Sequence, residues 1–344
     1  IEEAEESGQP NASAVFETDE NGFLIFALSD PVNGTTWPYE TSSGTNFFPL
    51  GTVIITEISA LDGMNITGPK AFTITANGSS PKTTIIGTWP DQDTQDDAIG
   101  TYANEIWRGG VTVYKADADE HAQNPQGDGN FGGVQYEIIN QSEYPVYVND
   151  KEVPVGEVAM TIQTIHGEDS IWATTGKDAL PYGSYTIREI AGNDSYNKAE
   201  WSQDFEIRSD EQMVTFGTPE NWNEDEVKRG GIEITKADAD TGISTPQGDA
   251  ELANTSYDIY NRSENKVYVN GAWYAKDDKI MTVETEWNET RNAYVASTGE
   301  RVLPYGTYEI VETGAPVGYH KADYKQTVQI RQDGEIVQLK DAAI

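Results

Sequence analysis

The sequence predicts an all-β fold made of two-sheet β-sandwich domains in an elongated tandem array. Short segments such as residues 111–115 and 185–189 alternate apolar and polar side chains with a period of two, as half-buried strands do. Clusters of Gly, Pro, Asn and Asp separate these segments, and no window of a dozen residues carries a helical stripe. A long segment also recurs after about 120 residues, which predicts domains in series.

The recurring segment is specific. Residues 109–119 read GGVTVYKADAD and residues 230–240 read GGIEITKADAD, an offset of 121. Further along, residues 180–189 read LPYGSYTIRE and residues 303–312 read LPYGTYEIVE, an offset of 123. Matches this long at nearly constant offset indicate two homologous domains.

The repeat predicts three domains in all. Two β-sandwich repeats occupy residues 109–229 and 230–344, and a partial or divergent copy occupies residues 1–108. This first copy keeps a Pro-x-Gly-Thr turn followed by an alternating strand that ends in Glu57, but nothing before Phe16 matches the GGVTVYK segment. Its opening strand either lies upstream of residue 1 or has diverged, and we favour the first alternative.

The composition excludes several classes of function. The 22 basic and 58 acidic side chains give a net charge of −36, which makes nucleic acid and anionic membranes poor partners. There is no cysteine, and no apolar run approaches the roughly 20 residues that span a bilayer. The three histidines have no metal-binding or catalytic spacing, and the acidic loops do not match a calcium-binding EF-hand. We therefore expect no cofactor, no metal site and no membrane insertion.

The alternation also places charged residues on the core face. The period that buries the two valines of VTVYK points Lys115 inward, and Lys236 repeats this position. In the later repeated segment the same period points Glu189 and Glu312 inward. An unpaired buried charge costs several kcal/mol, so these residues are expected to be paired, neutralised or bonded.

Two interpretations of these buried charges remain open. A Lys–Glu ion pair, or a lysine that reaches out to solvent at the strand end, requires no reaction. Alternatively, desolvation lowers the pKa of a lysine amine and raises that of a glutamic acid. The amine could then attack a nearby side-chain amide or carboxyl and form an isopeptide bond, once in each domain.

The same segments resemble a known family. The RGG strand ending in KAD, the later LPxGxYxIxE segment and GAPVGY at residues 314–319 are similar to the Cna-B-type repeat domains of Gram-positive adhesins and pilins, which are also described as SpaA-like. The resemblance is strong over residues 109–344 and partial over residues 12–108. It implies an Ig-like or transthyretin-like (prealbumin-like) β-sandwich. In that family a first-strand Lys bonds to an Asn or Asp of the last strand, and the Glu of YxIxE catalyses the reaction.

The resemblance assigns these roles residue by residue. It implies that Lys115 reacts with the help of Glu189, and that Lys236 reacts with the help of Glu312. In the last domain the strand that ends at Asp341 supplies the acceptor.

The acceptors of the other two domains are harder to place. In the middle domain the corresponding strand runs into Gly-Thr-Pro and offers no Asn or Asp there. The acceptor is therefore placed by its distance before the Arg-Gly-Gly motif of the next domain, which selects Asp225, with Asn223 as the fallback. The same count implies Asn104 as the acceptor of the first domain, with Glu57 as its acid. The lysine of that domain would lie upstream of residue 1.

The function implied by the resemblance is structural. We expect a stalk or adhesin segment of an extracellular surface protein, anchored to peptidoglycan in the cell wall through a sorting signal outside this chain. Neighbouring domains of the same chain are its expected contacts. Two alternatives stay open: an adhesin tip that recognises a host surface glycan or extracellular-matrix protein, and a pilin subunit polymerised by sortase. Isopeptide formation is a single-turnover event, so we do not expect an enzyme.

Overall fold

The computed structural model describes residues 12–49, 51–77, 80–86, 103–166 and 171–343. The chain divides into two compact units, Ile1–Ile106 and Trp107–Ile344. Within the described ranges nearly all regular structure is β-strand, with one short 3-10 helix at Phe26–Leu28, and no helix is long and apolar enough to cross a membrane. The prediction of an all-β fold is therefore confirmed.

The first unit contains one described sheet. Its strands are β1 (Gly51–Ile55), β2 (Lys70–Asn77) and β3 (Ser80–Ile86). They pair antiparallel in that order. Before this sheet, the ring of Phe26 stacks on Phe48 with centroids 3.8 Å apart and meets the edge of Trp37 at 5.3 Å. Aromatic packing of this kind stabilises a segment that has few strand hydrogen bonds.

The middle domain is a sandwich of two sheets and a small hairpin. Its strands are β4 (Arg108–Asp117), β5 (Gln135–Asn140), β6 (Val146–Val148), β7 (Lys151–Val153), β8 (Val158–Gln163), β9 (Ile165–His166), β10 (Ile171–Thr174), β11 (Leu180–Pro181), β12 (Gly183–Ala191), β13 (Ser202–Ile207), β14 (Gln212–Phe216) and β15 (Asn223–Asp225). One sheet has the order β11-β4-β10-β9, with β14 and β15 also paired to β4, and the other has the order β13-β12-β5-β8. Strands β6 and β7 form the hairpin. A single buried cluster joins Val113 of the first sheet to Ile138 and Ile187 of the second.

The last domain repeats this plan. Its strands are β16 (Arg229–Asp238), β17 (Ser256–Asn261), β18 (Val267–Val269), β19 (Ala272–Tyr274), β20 (Lys279–Glu284), β21 (Glu286–Asn288), β22 (Ala293–Ser297), β23 (Leu303–Pro304), β24 (Gly306–Gly314), β25 (Lys325–Ile330) and β26 (Ile336–Ala343). The sheets are β21-β22-β16-β23, with β26 also on β16, and β20-β17-β24-β25. Ile234, Ile259 and Ile310 link the two sheets in one core.

The first and last strands of each sandwich pair in parallel, whereas the other pairings are antiparallel. In the last domain β26 is continuous and places Asp341 opposite Lys236. In the middle domain the last strand is interrupted between β14 and β15, and it resumes with Asn223 opposite Lys115. The parallel pairing therefore brings a residue of the last strand beside the repeated lysine in both domains.

The interruption has a local cause at Gly217. This residue has a φ of 73°, and a Cβ there would lie 2.0 Å from the carbonyl oxygen of Tyr114. Only glycine fits such a left-handed position in close contact with another backbone. Residues 217–222 leave the ladder at this point before the strand resumes.

Candidate functional site

In the last domain three buried side chains meet at the repeated lysine. Lys236 Nζ lies 2.8 Å from Glu312 Oε2 and 2.6 Å from Asp341 Oδ2. The side chains of Lys236 and Glu312 are completely buried, and that of Asp341 is 3% exposed. Strands β16, β24 and β26 supply one residue each, so both sheets of the sandwich contribute. The structure thus brings together the three residues selected from the sequence.

Two further groups hold this cluster in place. The hydroxyl of Tyr257 on β17 donates to Asp341 Oδ2 at 2.8 Å, and the backbone N–H of Ala322 donates to Glu312 Oε1 at 3.1 Å. Sequence reasoning did not single out Tyr257 as a site residue. Its repeat partner Tyr136, at the same offset of 121, is the signal that could have found it.

The middle domain has a similar cluster with a fourth member. Lys115 Nζ donates to Glu189 Oε2 at 2.6 Å and to Asn223 Oδ1 at 2.8 Å. Asp225 Oδ1 also lies 2.6 Å from the same nitrogen. All four residues are buried, and the backbone N–H of Ala199 binds Glu189 as Ala322 binds its counterpart.

Two observations distinguish Asn223 from Asp225. Asn223 lies opposite Lys115 in the ladder and donates through Nδ2 to the hydroxyl of Tyr136 at 2.7 Å, so it matches Asp341 in both register and tyrosine contact. Asp225 has the distance of an ion pair to Lys115 without the angles of a hydrogen bond, and neither of its carboxylate oxygens has a hydrogen-bond partner among the described residues. Asn223, the fallback of the sequence analysis, therefore occupies the position that corresponds to Asp341, and Asp225 lies two residues further along.

Burial governs the acid–base properties of both clusters. It raises the pKa of Glu189, an effect that the neighbouring Lys115 partly offsets. It also raises the pKa of Glu312, with a further increase from the hydrogen bond to Asp341. The pKa of Asp225 is raised most clearly, from 3.8 to about 7, because burial and the negative charge of Glu189 together outweigh the attraction of Lys115. The carboxyls of Glu189, Glu312 and Asp225 can therefore carry a proton at higher pH than exposed ones.

The first unit contains a related pair. Asn104 Nδ2 donates to both carboxylate oxygens of Glu57, at 2.8 and 2.9 Å, and the backbone N–H of Thr67 donates to the same carboxylate at 2.6 Å. The acid and acceptor suggested by the sequence are thus in contact. The two lysines of this unit, Lys70 and Lys82, lie on β2 and β3, whose side chains fall outside the described part of the chain.

Among the described residues there is no group of three or more His, Asp or Glu side chains arranged to hold a metal ion. What the arrangement offers chemically is an amine, an acyl group and a carboxyl within hydrogen-bonding distance and away from water. These are the reactants and the acid–base group that amide formation requires.

Several solved structures resemble the chain at low identity. The Bacillus anthracis TIE protein matches at 22% identity and a TM-score of 0.48, over 97% of this chain and 48% of that one, so the chain spans about half the length of that structure. A streptococcal ancillary pilin matches at 17% identity and a TM-score of 0.26, over 80% and 82% of the two chains. BcpA, the major pilin subunit of Bacillus cereus, matches at 14% identity and a TM-score of 0.31, over 96% and 94%.

No curated protein matches the chain. One family model does match, over a single range of residues. The family model described as SpaA, prealbumin-like fold domain, matches residues 230–343, the range that contains Lys236, Glu312 and Asp341. This range is also the one in which β16 to β26 form a complete sandwich. Residues 230–343 are therefore a SpaA-like, Cna-B-type domain.

Proposed function

We propose that the chain is a stalk segment of an extracellular Gram-positive surface protein, with domains that lock themselves through isopeptide bonds. The observation that carries this proposal is the repeated buried cluster in which Lys115 and Lys236 each face a last-strand acceptor and an inward-pointing glutamate. The SpaA-like domain at residues 230–343 supports the assignment to pilus and adhesin architecture. Attachment to peptidoglycan would use a sorting signal outside this chain.

The proposed reaction in the last domain joins Lys236 to Asp341. A proton first passes from the Lys236 ammonium to the Asp341 carboxylate across their 2.6 Å contact. The neutral amine then attacks Cγ of the Asp341 carboxylic acid, an Nζ–Cγ bond forms, the C–OH bond breaks and one water leaves. Glu312, whose pKa is raised by burial, donates a proton to the acceptor oxygen and then takes one from the amine, so that it ends unchanged. The Tyr257 hydroxyl orients the acceptor through its 2.8 Å hydrogen bond. Each domain reacts once, so the process is self-modification and not enzymatic turnover.

In the middle domain we assign Asn223 as the acceptor of Lys115. Attack on Cγ of Asn223 forms the same bond but breaks a C–N bond and releases ammonia, with Glu189 as the acid. Tyr136 holds the amide nitrogen, the atom that leaves, at 2.7 Å. Asp225 remains as a second buried carboxyl, and its position two residues further along corresponds to Ala343 in the last domain.

A bond between first and last strands would suit a chain without cysteine. It would close a loop of about 100 residues, for which the chain-entropy estimate gives a stabilisation on the order of 4 to 5 kcal/mol. Unlike a disulfide, it needs no oxidising compartment and resists reduction. These properties are useful in a protein that works under tension outside the cell.

Intact-mass spectrometry followed by peptide mapping tests the proposal. A Lys–Asp bond removes about 18 Da and a Lys–Asn bond about 17 Da, so the last domain should lose the former and the middle domain the latter. A loss of about 18 Da in the middle domain would instead identify Asp225 as the acceptor. An unmodified mass in both domains would refute self-locking altogether.

Substitution of the proposed acid, Glu312, provides a second test of the proposal. Glu312→Ala should restore the unreacted mass of the last domain while leaving the middle-domain loss unchanged. Glu284→Ala removes an exposed carboxylate from β20 of the same domain and should retain the bond. Persistence of the bond in Glu312→Ala would show that another group is the acid.

A further inference from the structure

One loop occurs twice in the structure, in two different environments. The sequence PQGD is found at residues 125–128 and again at residues 246–249, at the offset of 121. Both copies adopt the same conformation, with φ values of 58° at Gly127 and 54° at Gly248. In both, the glutamine side chain donates to both carboxylate oxygens of the aspartate that ends the KAD motif. The two loops are therefore equivalent parts of the repeat.

In the middle domain this loop is docked on the last domain. The N–H of Gly127 donates to the carbonyl of Lys266 at 3.1 Å, and the N–H of Asp128 donates to the carbonyl of Tyr305 at 3.1 Å. The side-chain oxygen of Gln126 accepts from the N–H of Tyr268 at 2.8 Å. Backbone groups of the loop thus pair with backbone groups of the next domain, much as in a strand ladder.

Charged side chains reinforce the same junction. Asp128 accepts from Arg331 at 2.8 Å and from the hydroxyl of Thr307 at 2.6 Å. Asp119 pairs with Arg229 at 2.7 Å. The middle domain supplies the acidic groups and the last domain the basic ones, so the two ends are complementary in charge.

At this junction the backbone of Gly127 lies too close to the last domain for any side chain at that position. A Cβ on Gly127 would lie 2.1 Å from the carbonyl oxygen of Tyr305, whereas a Cβ on Gly248 would meet no atom within 4 Å. Gln126 is fully buried, but its counterpart Gln247 is exposed, as are Gly248 and Asp249. The second loop therefore has the shape and donors of the first without the domain that covers it.

The receiving end of the junction is repeated as well. In the last domain the guanidinium of Arg331 lies over the ring of Tyr305 at 4.6 Å, next to the docked loop. In the middle domain Arg208 lies over Tyr182 at 4.9 Å in the same arrangement. Each repeat thus carries both halves of the contact, an acidic loop at one end and an Arg–Tyr pair at the other.

We propose that the loop at residues 246–249, together with Asp240, is a docking surface for the N-terminal end of another domain of this repeat joined in tandem. The occupant would present an Arg–Tyr pair and backbone carbonyls to the exposed amides of Gly248 and Asp249. One contact would differ, because Thr241 stands where Glu120 pairs with Lys266 in the observed junction. The inference depends only on the junction geometry and stands whether or not the isopeptide bonds form.

The test uses the full chain, extended after residue 344 by a second copy of residues 227–344. The register that aligns Asp341 with Asn223 makes residue 344 equivalent to residue 226, so this extension reproduces the native linker. Amide hydrogen exchange, followed by NMR, is measured at Gly248 in the extended and unextended chains. We expect exchange at Gly248 to slow at least tenfold on extension, whereas Gly127 should be slow in both chains.

A matched pair of variants isolates the surface. In the extended chain Asp249→Ala should restore fast exchange at Gly248, and Asp323→Ala, an exposed aspartate of the same domain, should not. The proposal is overturned if the added domain folds, as shown by slow exchange in its own first strand, while Gly248 stays fast. Protection of Gly248 in the unextended chain that grows with protein concentration would also overturn it, because the occupant would then be a second copy.

Discussion

Replacing Asp225 by Asn should remove a pH-dependent loss of stability from the middle domain. Asp225 is 1% exposed, and its two carboxylate oxygens have no hydrogen-bond partner among the described residues. Among the described residues its one close counter-charge is Lys115, which also forms an ion pair with Glu189. A buried carboxylate with such incomplete compensation is costly when it is ionised.

The sign and size of the effect follow from the pKa of Asp225, which burial raises from 3.8 to about 7 in the folded chain. Because the folded carboxyl binds its proton more tightly than the unfolded one, its contribution is fully present below pH 4. That contribution is lost as the pH rises through 7. About three pKa units, at about 1.4 kcal/mol each, correspond to a loss on the order of 4 kcal/mol between these limits.

Urea unfolding at pH 4 and pH 8, read from the methyl signals of Ile138 and Ile187, would report on the middle domain. The free energy of unfolding of the wild type should fall on the order of 4 kcal/mol further than that of Asp225→Asn over this range. Asp178→Asn, an exposed control, should follow the wild type. Equal pH dependence in wild type and Asp225→Asn, or a carboxyl of Asp225 that titrates near 4, would refute the reasoning.

Three further substitutions test the roles of other contacts. Tyr257→Phe removes the hydroxyl that donates to Asp341, the proposed acceptor, at 2.8 Å. Loss of a hydrogen bond of about 1 kcal/mol should slow the mass loss of an unreacted chain on folding roughly fivefold. An unchanged rate would contradict this role. Gly127→Ala and Gly248→Ala introduce the same strain at positive φ, but only the first places a methyl group 2.1 Å from a carbonyl of the next domain. Gly127→Ala should therefore lower the free energy of unfolding by roughly 1 to 3 kcal/mol more, and equal losses in a calorimetric comparison would count against the junction.

Much of the fold was predictable because its signals are local or periodic. A period of two identifies half-buried strands directly, and the constant offset between repeats transfers each assignment from one domain to the other. The same period identified Lys115, Lys236, Glu189 and Glu312 as inward-facing, and the structure places all four in buried clusters. Charged residues at core positions stand out in sequence because their burial is so costly.

The residue opposite Lys115 on the last strand of the middle domain was harder to predict, since the register there depends on a long-range pairing. Between Val113 and Lys115 the first strand advances by two residues while its partner advances from Phe216 to Asn223. Neither propensity nor counting from the next domain gives the size of that excursion. The tyrosine contacts and the junction loop were missed for the same reason, because both depend on residues far apart in the chain.

Parallel pairing of the first and last strands has a mechanical consequence. Tension applied through the chain would enter each domain at one end of β4 or β16 and leave at the opposite end of its last strand, so the ladder is loaded in shear. In the proposed cross-linked form the force would pass through the Lys115–Asn223 and Lys236–Asp341 bonds and bypass everything between them. Roughly 210 residues, or roughly 700 Å of extended chain, would then be unavailable for lengthening. Such a segment would transmit force as an inextensible tether and would not absorb it by unfolding.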